Sequence, residues 1–124
     1  MAFKTKDAAR NESFFCKKTG IPCAETQSGK GSLVGDLPFN LGAIGATGTS
    51  CANLVATNAD LIIFIGTRLS DFTTSSGTQF QNKNVKFVSI NISSFDAHKY
   101  GALPLIGDAK ATIDQLSVSY THLR

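Results

Sequence analysis

Apolar and polar positions along the chain alternate between helix-like and strand-like stretches. Residues 7–18 place Ala8, Ala9, Phe15 and Cys16 at helical spacings, so apolar groups share one stripe. Thr19-Gly20 ends that helix, because glycine takes the left-handed position after a helix without a Cβ penalty. Ile21-Pro22-Cys23-Ala24 then reads as a short strand, with Pro22 at its first residues because proline has no N–H for a ladder. Residues 26–49 are polar and glycine-rich and read as loop. Thr49 or Ser50 can cap a second helix running to about Thr57, with Ala52, Leu54, Val55 and Ala56 inside it.

The clearest strand is Asp60-Leu61-Ile62-Ile63-Phe64-Ile65-Gly66. It is apolar without alternation, as expected of a strand covered on both faces in a parallel sheet. Lys86–Asn91 is the next strand and Leu103–Gly107 a shorter one. Thr73–Thr78 reads as a polar loop and Asp96–Lys99 as a solvated helical turn. Asp108 suits the N-cap of a final helix, where Ile113 and Leu116 share a face. The resulting order is an α/β pattern: a Rossmann-like parallel sheet with flanking helices. Right-handed crossovers place the loops after its strands on one edge, where such folds bind ligands.

Length and composition narrow the class. The 124 residues make one domain at most, and 42% hydrophobic with 17% charged residues excludes a disordered tail. Residues 1–30 hold six basic and three acidic residues, and residues 31–124 hold six and six. The net charge of +3 therefore belongs to the leading segment, and a neutral body argues against a nucleic-acid partner. The longest apolar run is five residues, Leu61–Ile65, too short for a membrane span, and residues 1–7 hold no signal-peptide core. A cytoplasmic location is the expectation. Cys16, Cys23 and Cys51 show no C-x-x-C spacing and are expected to be buried small apolar residues. With His98 and His122 the only histidines, no metal site is expected.

Two segments carry candidate chemistry. In Gly42-Ala43-Ile44-Gly45-Ala46-Thr47-Gly48-Thr49, glycines recur every third residue just before a helix. Backbone N–H groups there suit a phosphate, but a tight turn requiring glycine gives the same pattern. The spacing is not G-x-G-x-x-G, and Gly29-Lys30-Gly31-Ser32 departs from a Walker-type loop. Gly66-Thr67-Arg68-Leu69-Ser70-Asp71 follows the strongest strand, on the ligand edge. Arg68 can clamp a phosphate, or pair with Asp71 or backbone. No carboxylate pair and no nucleophile–histidine set stands out, so no catalytic residue is assigned.

These segments resemble a known family. Ile21-Pro22-Cys23-Ala24-Glu25-Thr26-Gln27-Ser28-Gly29-Lys30-Gly31, then Leu37-Pro38-Phe39-Asn40-Leu41-Gly42 with Gly45, Thr47, Gly48 and Thr49, then Ala52-Asn53, resemble the central domain of thiamine-diphosphate-dependent enzymes. Gly66–Thr74 and Lys86–Asn91 with Phe95–Leu105 are similar to the branch of C–C hydrolases that open a trihydroxycyclohexanedione in inositol catabolism. The resemblance implies a parent enzyme of three α/β domains using thiamine diphosphate and Mg²⁺, whose sites lie in the first and third domains. It implies a chain inactive by itself, partnered by those domains in a homodimer or tetramer. Acetolactate-synthase-like relatives, whose central domain holds FAD or ADP, are the alternative. Their cofactor contacts would fall on Gly45, Thr47, Gly48, Thr49, Gly66, Arg68 and Asp108. Asn91 stands where flavin-binding relatives tend to have aspartate, so the hydrolase branch implies no FAD.

Residues 14–116 are expected to form the domain, between an atypical start at 1–13 and an atypical tail at 117–124. The resemblance also implies a first strand, interior to the sheet, for which Met1–Lys6 is unsuited.

Overall fold

Residues 6–33 and 38–123 are described by the structure, a computed structural model, in which the side chains of residues 6–12 and 122–123 fall outside the description. The opening segment Met1–Thr5, Leu37 of the resemblance, the side chains of Ala8, Ala9 and His122, and Arg124 thus lie outside the described residues.

Helix α1 (Lys6–Thr19) leads into strand β1 (Cys23–Glu25), a single 3₁₀ turn at Gln27–Gly29, and strand β2 (Asn40–Ala43). Helix α2 (Ser50–Asn58), strand β3 (Leu61–Ile65) and the short helix α3 (Asp71–Thr74) follow. Strand β4 (Lys86–Asn91), the short helix α4 (Ser94–Ala97), a 3₁₀ turn at Lys99–Gly101, strand β5 (Leu103–Ile106) and helix α5 (Ala109–Leu123) complete the order.

The helix boundaries have local causes. Gly20, at φ +73°, donates its N–H to the Cys16 carbonyl at 2.8 Å and closes α1. Thr49 caps α2: its Oγ1 accepts from the Ala52 N–H at 3.1 Å and donates to the Leu41 carbonyl at 2.6 Å. Asp108 caps α5 by accepting the Ala111 N–H on Oδ2 at 3.0 Å.

Among the described residues all pairings are parallel, and they fall into two sheets, β1-β2 and β3-β4-β5. The α/β architecture expected from the sequence is present. Strand β2 corrects the reading of residues 26–49 as loop. Asn40, Leu41, Gly42 and Ala43 are half-buried and hold no apolar run. They become a strand because β1 offers them a ladder, with Cys23 opposite Asn40 and Glu25 opposite Ala43. The segment read as a polar loop at 73–78 likewise begins inside α3, whose Thr73 and Thr74 are buried.

The three-stranded sheet is in strict register, with Ile65 opposite Ile90 and Ile90 opposite Leu105. Side chains alternate between its faces. On one face Ile65, Ile90 and Ile113 form a buried core, packed by Phe15 of α1 and by Leu105 and Leu116. On the other, Phe64 stacks on Phe87 with centroids 5.5 Å apart, and Phe80 and Tyr100 meet them edge-on. A cavity of about 460 Å³ lies between the two sheets, walled by Cys23 and Ala24 on one side and by Leu61–Ile65 on the other.

Candidate functional site

The loops that follow β2, β3, β4 and β5 leave one edge of the parallel strands, and every sequence-derived candidate lies on them. Gly45, Thr47, Gly48 and Thr49 follow β2; Gly66 and Arg68 follow β3; Asp108 follows β5. What each group does there is a matter of hydrogen bonding.

The glycine-rich turn is held from within. Asn53 of α2 clamps Gly45 twice, accepting its N–H at 3.0 Å on Oδ1 and donating Nδ2–H to its carbonyl at 2.9 Å. The Ala46 N–H donates to the Phe72 carbonyl at 2.8 Å, the Gly48 N–H to Gly45 at 3.0 Å, and the Thr49 N–H to Ala43 at 2.8 Å. Four of the five backbone donors from Gly45 to Thr49 that could have cradled an anion therefore already have protein acceptors. Thr47 is tied to Gln27, whose Nε2 donates to its Oγ1 at 2.6 Å.

Both inner glycines are required sterically. A Cβ at Gly45 would lie 2.1 Å from the Phe72 carbonyl oxygen, and one at Gly48 would lie 2.5 Å from the Ala43 carbonyl oxygen. The pattern read from the sequence as either a phosphate cradle or a tight turn has the geometry of a tight turn packed against α3.

The loop after β3 is fastened to β4 and its successor. Gly66, at φ +63°, donates to the Ile90 carbonyl at 2.8 Å. Asn91, buried, donates Nδ2–H to the Thr67 carbonyl at 3.0 Å and accepts the Ser93 N–H at 2.9 Å. The Gly107 N–H donates to the Asn91 carbonyl at 3.1 Å, so the end of β4 is bonded to Gly66 through Ile90 and to Gly107 through Asn91.

Lys99 bonds the Arg68 carbonyl at 2.5 Å and pairs with Asp96 at 2.9 Å. The Arg68 side chain is exposed, and among the described residues no ion pair holds it, so the Arg68–Asp71 contact weighed from the sequence does not form. Asp108 is exposed and spends one oxygen on its cap.

The structure thus joins Gly45, Thr47, Gly48 and Thr49 into one turn, and fastens Gly66 and Thr67, after β3, to Ile90 and Asn91 at the end of β4. The 460 Å³ cavity lies elsewhere, between β1 and β3, and its lining is overwhelmingly apolar. Asn53, Gln79 and Lys99 are the organising polar residues that sequence reasoning missed. Gln79, buried, donates to the Asn53 carbonyl at 2.9 Å and so supports the clamp from behind. The partners that give them these roles lie 8 residues away for Asn53, 26 for Gln79 and 31 for Lys99, too far apart to leave a spacing signature in the chain.

Of the three thiols, Cys16 and Cys23 are buried as expected, while Cys51 is exposed on the first turn of α2, which corrects that expectation. The hydrogen bond with Cys16 holds the Cys23 thiol below its ordinary range, against burial and the Glu25 carboxylate, which push it up. Among the described residues no three His, Cys, Asp or Glu side chains gather as a metal site, so they do not fit a Mg²⁺ ion. Among them, too, no helix is long and apolar enough to cross a membrane.

Comparison with known proteins adds what geometry alone does not. Residues 3–116 match the family described as thiamine pyrophosphate enzyme, central domain. The chain is 50% identical over 111 residues to a 3D-(3,5/4)-trihydroxycyclohexane-1,2-dione hydrolase of Clostridium tetani, covering 90% of the chain and 17% of that relative. It is 48% identical over 102 residues to the hydrolase of the same description from Clostridium perfringens, covering 82% and 16%. A hydrolase 1 of that description from Bacillus cereus is 49% identical over 116 residues, covering 90% and 18%. The chain spans about a sixth of the length of these relatives.

Proposed function

Since the chain belongs to the family of thiamine pyrophosphate enzyme central domains, we propose that it serves as the central domain of a hydrolase that opens a trihydroxycyclohexanedione ring, and that it has no activity by itself. The observation that carries this reading is about 50% identity over 90% of the chain to hydrolases of that description. The self-satisfied glycine turn supports it, because that turn spends its donors on the protein. The thiazolium chemistry of thiamine diphosphate, with its Mg²⁺, belongs in this reading to other domains of the parent enzyme. This chain's residues position those domains and perform no step. The parent works in the cytoplasm, in inositol catabolism, without FAD.

Partner domains fit the exposed apolar groups on the loop edge. Phe72 follows β3, and Ile92 and Phe95 follow β4; they are 67%, 82% and 80% exposed. Large apolar side chains gathered on one edge favour a protein partner over solvent. In this reading they are covered by the cofactor domains or by a second subunit of a homodimer or tetramer.

Two measurements test the proposal. Calorimetric titration of the chain with thiamine diphosphate and Mg²⁺ should give no saturable heat; tight binding would place the cofactor site here and overturn the assignment. A chimera carrying residues 3–116 in place of the matching segment of the Clostridium tetani relative should open the ring. A folded chimera that binds thiamine diphosphate without opening it would remove the substrate assignment.

A second reading keeps a nucleotide at Gly45, Thr47, Gly48, Thr49, Gly66, Arg68 and Asp108, as in acetolactate-synthase-like relatives. The exposed Arg68 guanidinium, which no ion pair holds among the described residues, favours it. Saturable binding of ADP or FAD that Arg68→Ala weakens tenfold would carry this reading, and no binding at millimolar ligand would end it.

A further inference from the structure

Two nucleophilic side chains stand outside the proposed function, and the fold brings them together. Cys16 lies in the last turn of α1, and Cys23 opens β1. Their spacing in the chain marks no pair. Between them Gly20, at φ +73°, closes the helix on the Cys16 carbonyl, and Pro22 leads into the strand. The turn sets the start of β1 against the end of α1, so that Cys16 and Cys23 join Leu33 in one buried cluster. Their thiols are hydrogen-bonded to each other.

From this contact we infer that Cys16 and Cys23 form a reversible dithiol–disulfide site, closed by a small peroxide and opened by a thiol reductant, which joins the end of α1 to β1 by a covalent bond. The inference is independent of the parent enzyme's reaction.

The backbone holds both cysteines in place. The Cys16 carbonyl accepts from the Gly20 N–H at 2.8 Å and from Thr19 Oγ1 at 3.5 Å. Cys23 gives its N–H to the Phe39 carbonyl at 2.9 Å and its thiol to the same oxygen at 3.5 Å. To bond, the sulfurs must approach from hydrogen-bond contact to about 2 Å.

The two sulfurs are unequal. The hydrogen bond from Cys16 favours a thiolate at Cys23 and outweighs burial and the Glu25 carboxylate, which oppose it. Cys23 is therefore the attacking sulfur and Cys16 the resolving one. In the first step the Cys23 thiolate attacks one peroxide oxygen and the O–O bond breaks. The released hydroxide takes up a proton, and Cys23 is left as a sulfenic acid. In the second step the Cys16 sulfur attacks the Cys23 sulfur and the S–O bond breaks. Hydroxide leaves as water with the Cys16 proton. Two thiols and one peroxide give one disulfide and two waters; the sulfurs lose two electrons and the peroxide gains them.

Burial selects the reagent. Each cysteine is only 6% exposed, which suits hydrogen peroxide and opposes a protein disulfide or one the size of glutathione disulfide. Contact selects the product. The resolving thiol adjoins the sulfenic acid before a second peroxide arrives, so oxidation stops at the disulfide instead of running on to sulfinic acid. Cys51 makes the contrast: it is exposed on the first turn of α2, open to any reagent and outside the cluster.

The test uses the full chain, reduced, and its Cys51→Ser form, which lacks the exposed thiol. One equivalent of hydrogen peroxide should remove two hydrogens from the intact mass of the Cys51→Ser form. Tryptic peptides 11–17 and 19–30 should then appear joined, and separate with dithiothreitol. The joined product should form roughly tenfold faster in buffer than in concentrated urea, because folding supplies the contact and the thiolate. On the same background, Cys16→Ser keeps a hydroxyl donor but cannot resolve, so it should stop at a sulfenic acid on Cys23 that dimedone traps. Cys16→Ala removes the donor and should slow that trapping.

Oxygens added separately at Cys16 and Cys23, with no loss of hydrogens, would overturn the inference. So would a full chain oxidised at Cys51 with Cys16 and Cys23 left reduced, which would make them inert buried thiols. Equal rates in buffer and urea would likewise overturn it, and that comparison decides even if serine at position 16 unfolds the chain.

Discussion

A Cβ at Gly45 would lie 2.1 Å from the Phe72 carbonyl oxygen, and the residue sits at φ +114°. Both facts oppose any side chain there, and a backbone oxygen cannot swing aside as a side chain would. Gly45→Ala should therefore destabilise the chain by about 3 kcal/mol, combining backbone strain with overlap. Gly20→Ala makes the contrast: its φ is +73° but nothing lies within 4 Å. It should cost only about 1 kcal/mol, from backbone strain alone. Equilibrium urea unfolding of both variants distinguishes them, and equal losses would show that the contact with Phe72 is not what demands glycine. The glycine spacing was visible in the sequence, but its meaning was not. Whether an N–H is free for an anion depends on Asn53 and Phe72, which the sequence sets eight and twenty-seven residues away from Gly45.

Elements divide into those that form from their own residues and those made by a neighbour. Helix α2 is of the first kind. Its start is set by Thr49, whose Oγ1 accepts the Ala52 N–H and donates to Leu41. Thr49→Ala should cost about 1–2 kcal/mol, while Thr49→Ser keeps the oxygen and should lose only a few tenths. Circular dichroism through a urea titration reads both, and a Thr49→Ser variant as unstable as the alanine would place the effect in the methyl group. Strand β2 is of the second kind. Asn40-Leu41-Gly42-Ala43 has neither alternation nor β-branched residues, and β1 turns it into a strand by accepting it at the ladder. Helix α1 and strands β3 and β4 were legible because their apolar spacing is itself the cause of their burial. Cys51 misled for the opposite reason: cysteine is commonly buried, but its place on the first turn of α2 leaves it exposed.

For the molecule as a whole, stability is concentrated on one face of the three-stranded sheet. Ile90 is 0% exposed and Ile113 1%, and with Ile65 they join β3, β4 and α5. Ile90→Ala should cost about 2–5 kcal/mol, a large share of the 5–15 kcal/mol of an ordinary domain. Ile106→Ala, at a position 56% exposed on β5, should stay within about 0.5 kcal/mol. Thermal unfolding measures the difference, and a similar loss at both positions would mean that the core is not organised around Ile90. The divided sheet belongs to this scale too. Among the described residues the β1 edge and the β3 edge stand apart across an apolar space.

The residues by themselves determined the α/β class, a helix cap at Thr49 or Ser50 and one at Asp108, the strands read at 60–66 and 86–91, and the family, because each rests on local order: periodicity, a capping oxygen, an ordered run of motifs. Only the tertiary structure decided that the glycine turn spends its donors internally, that Asn40–Ala43 is a strand, and that β1 and β3 stand apart. Those outcomes depend on which backbone groups meet across many residues, and hydrogen bonds of that kind are written in no one segment of the chain.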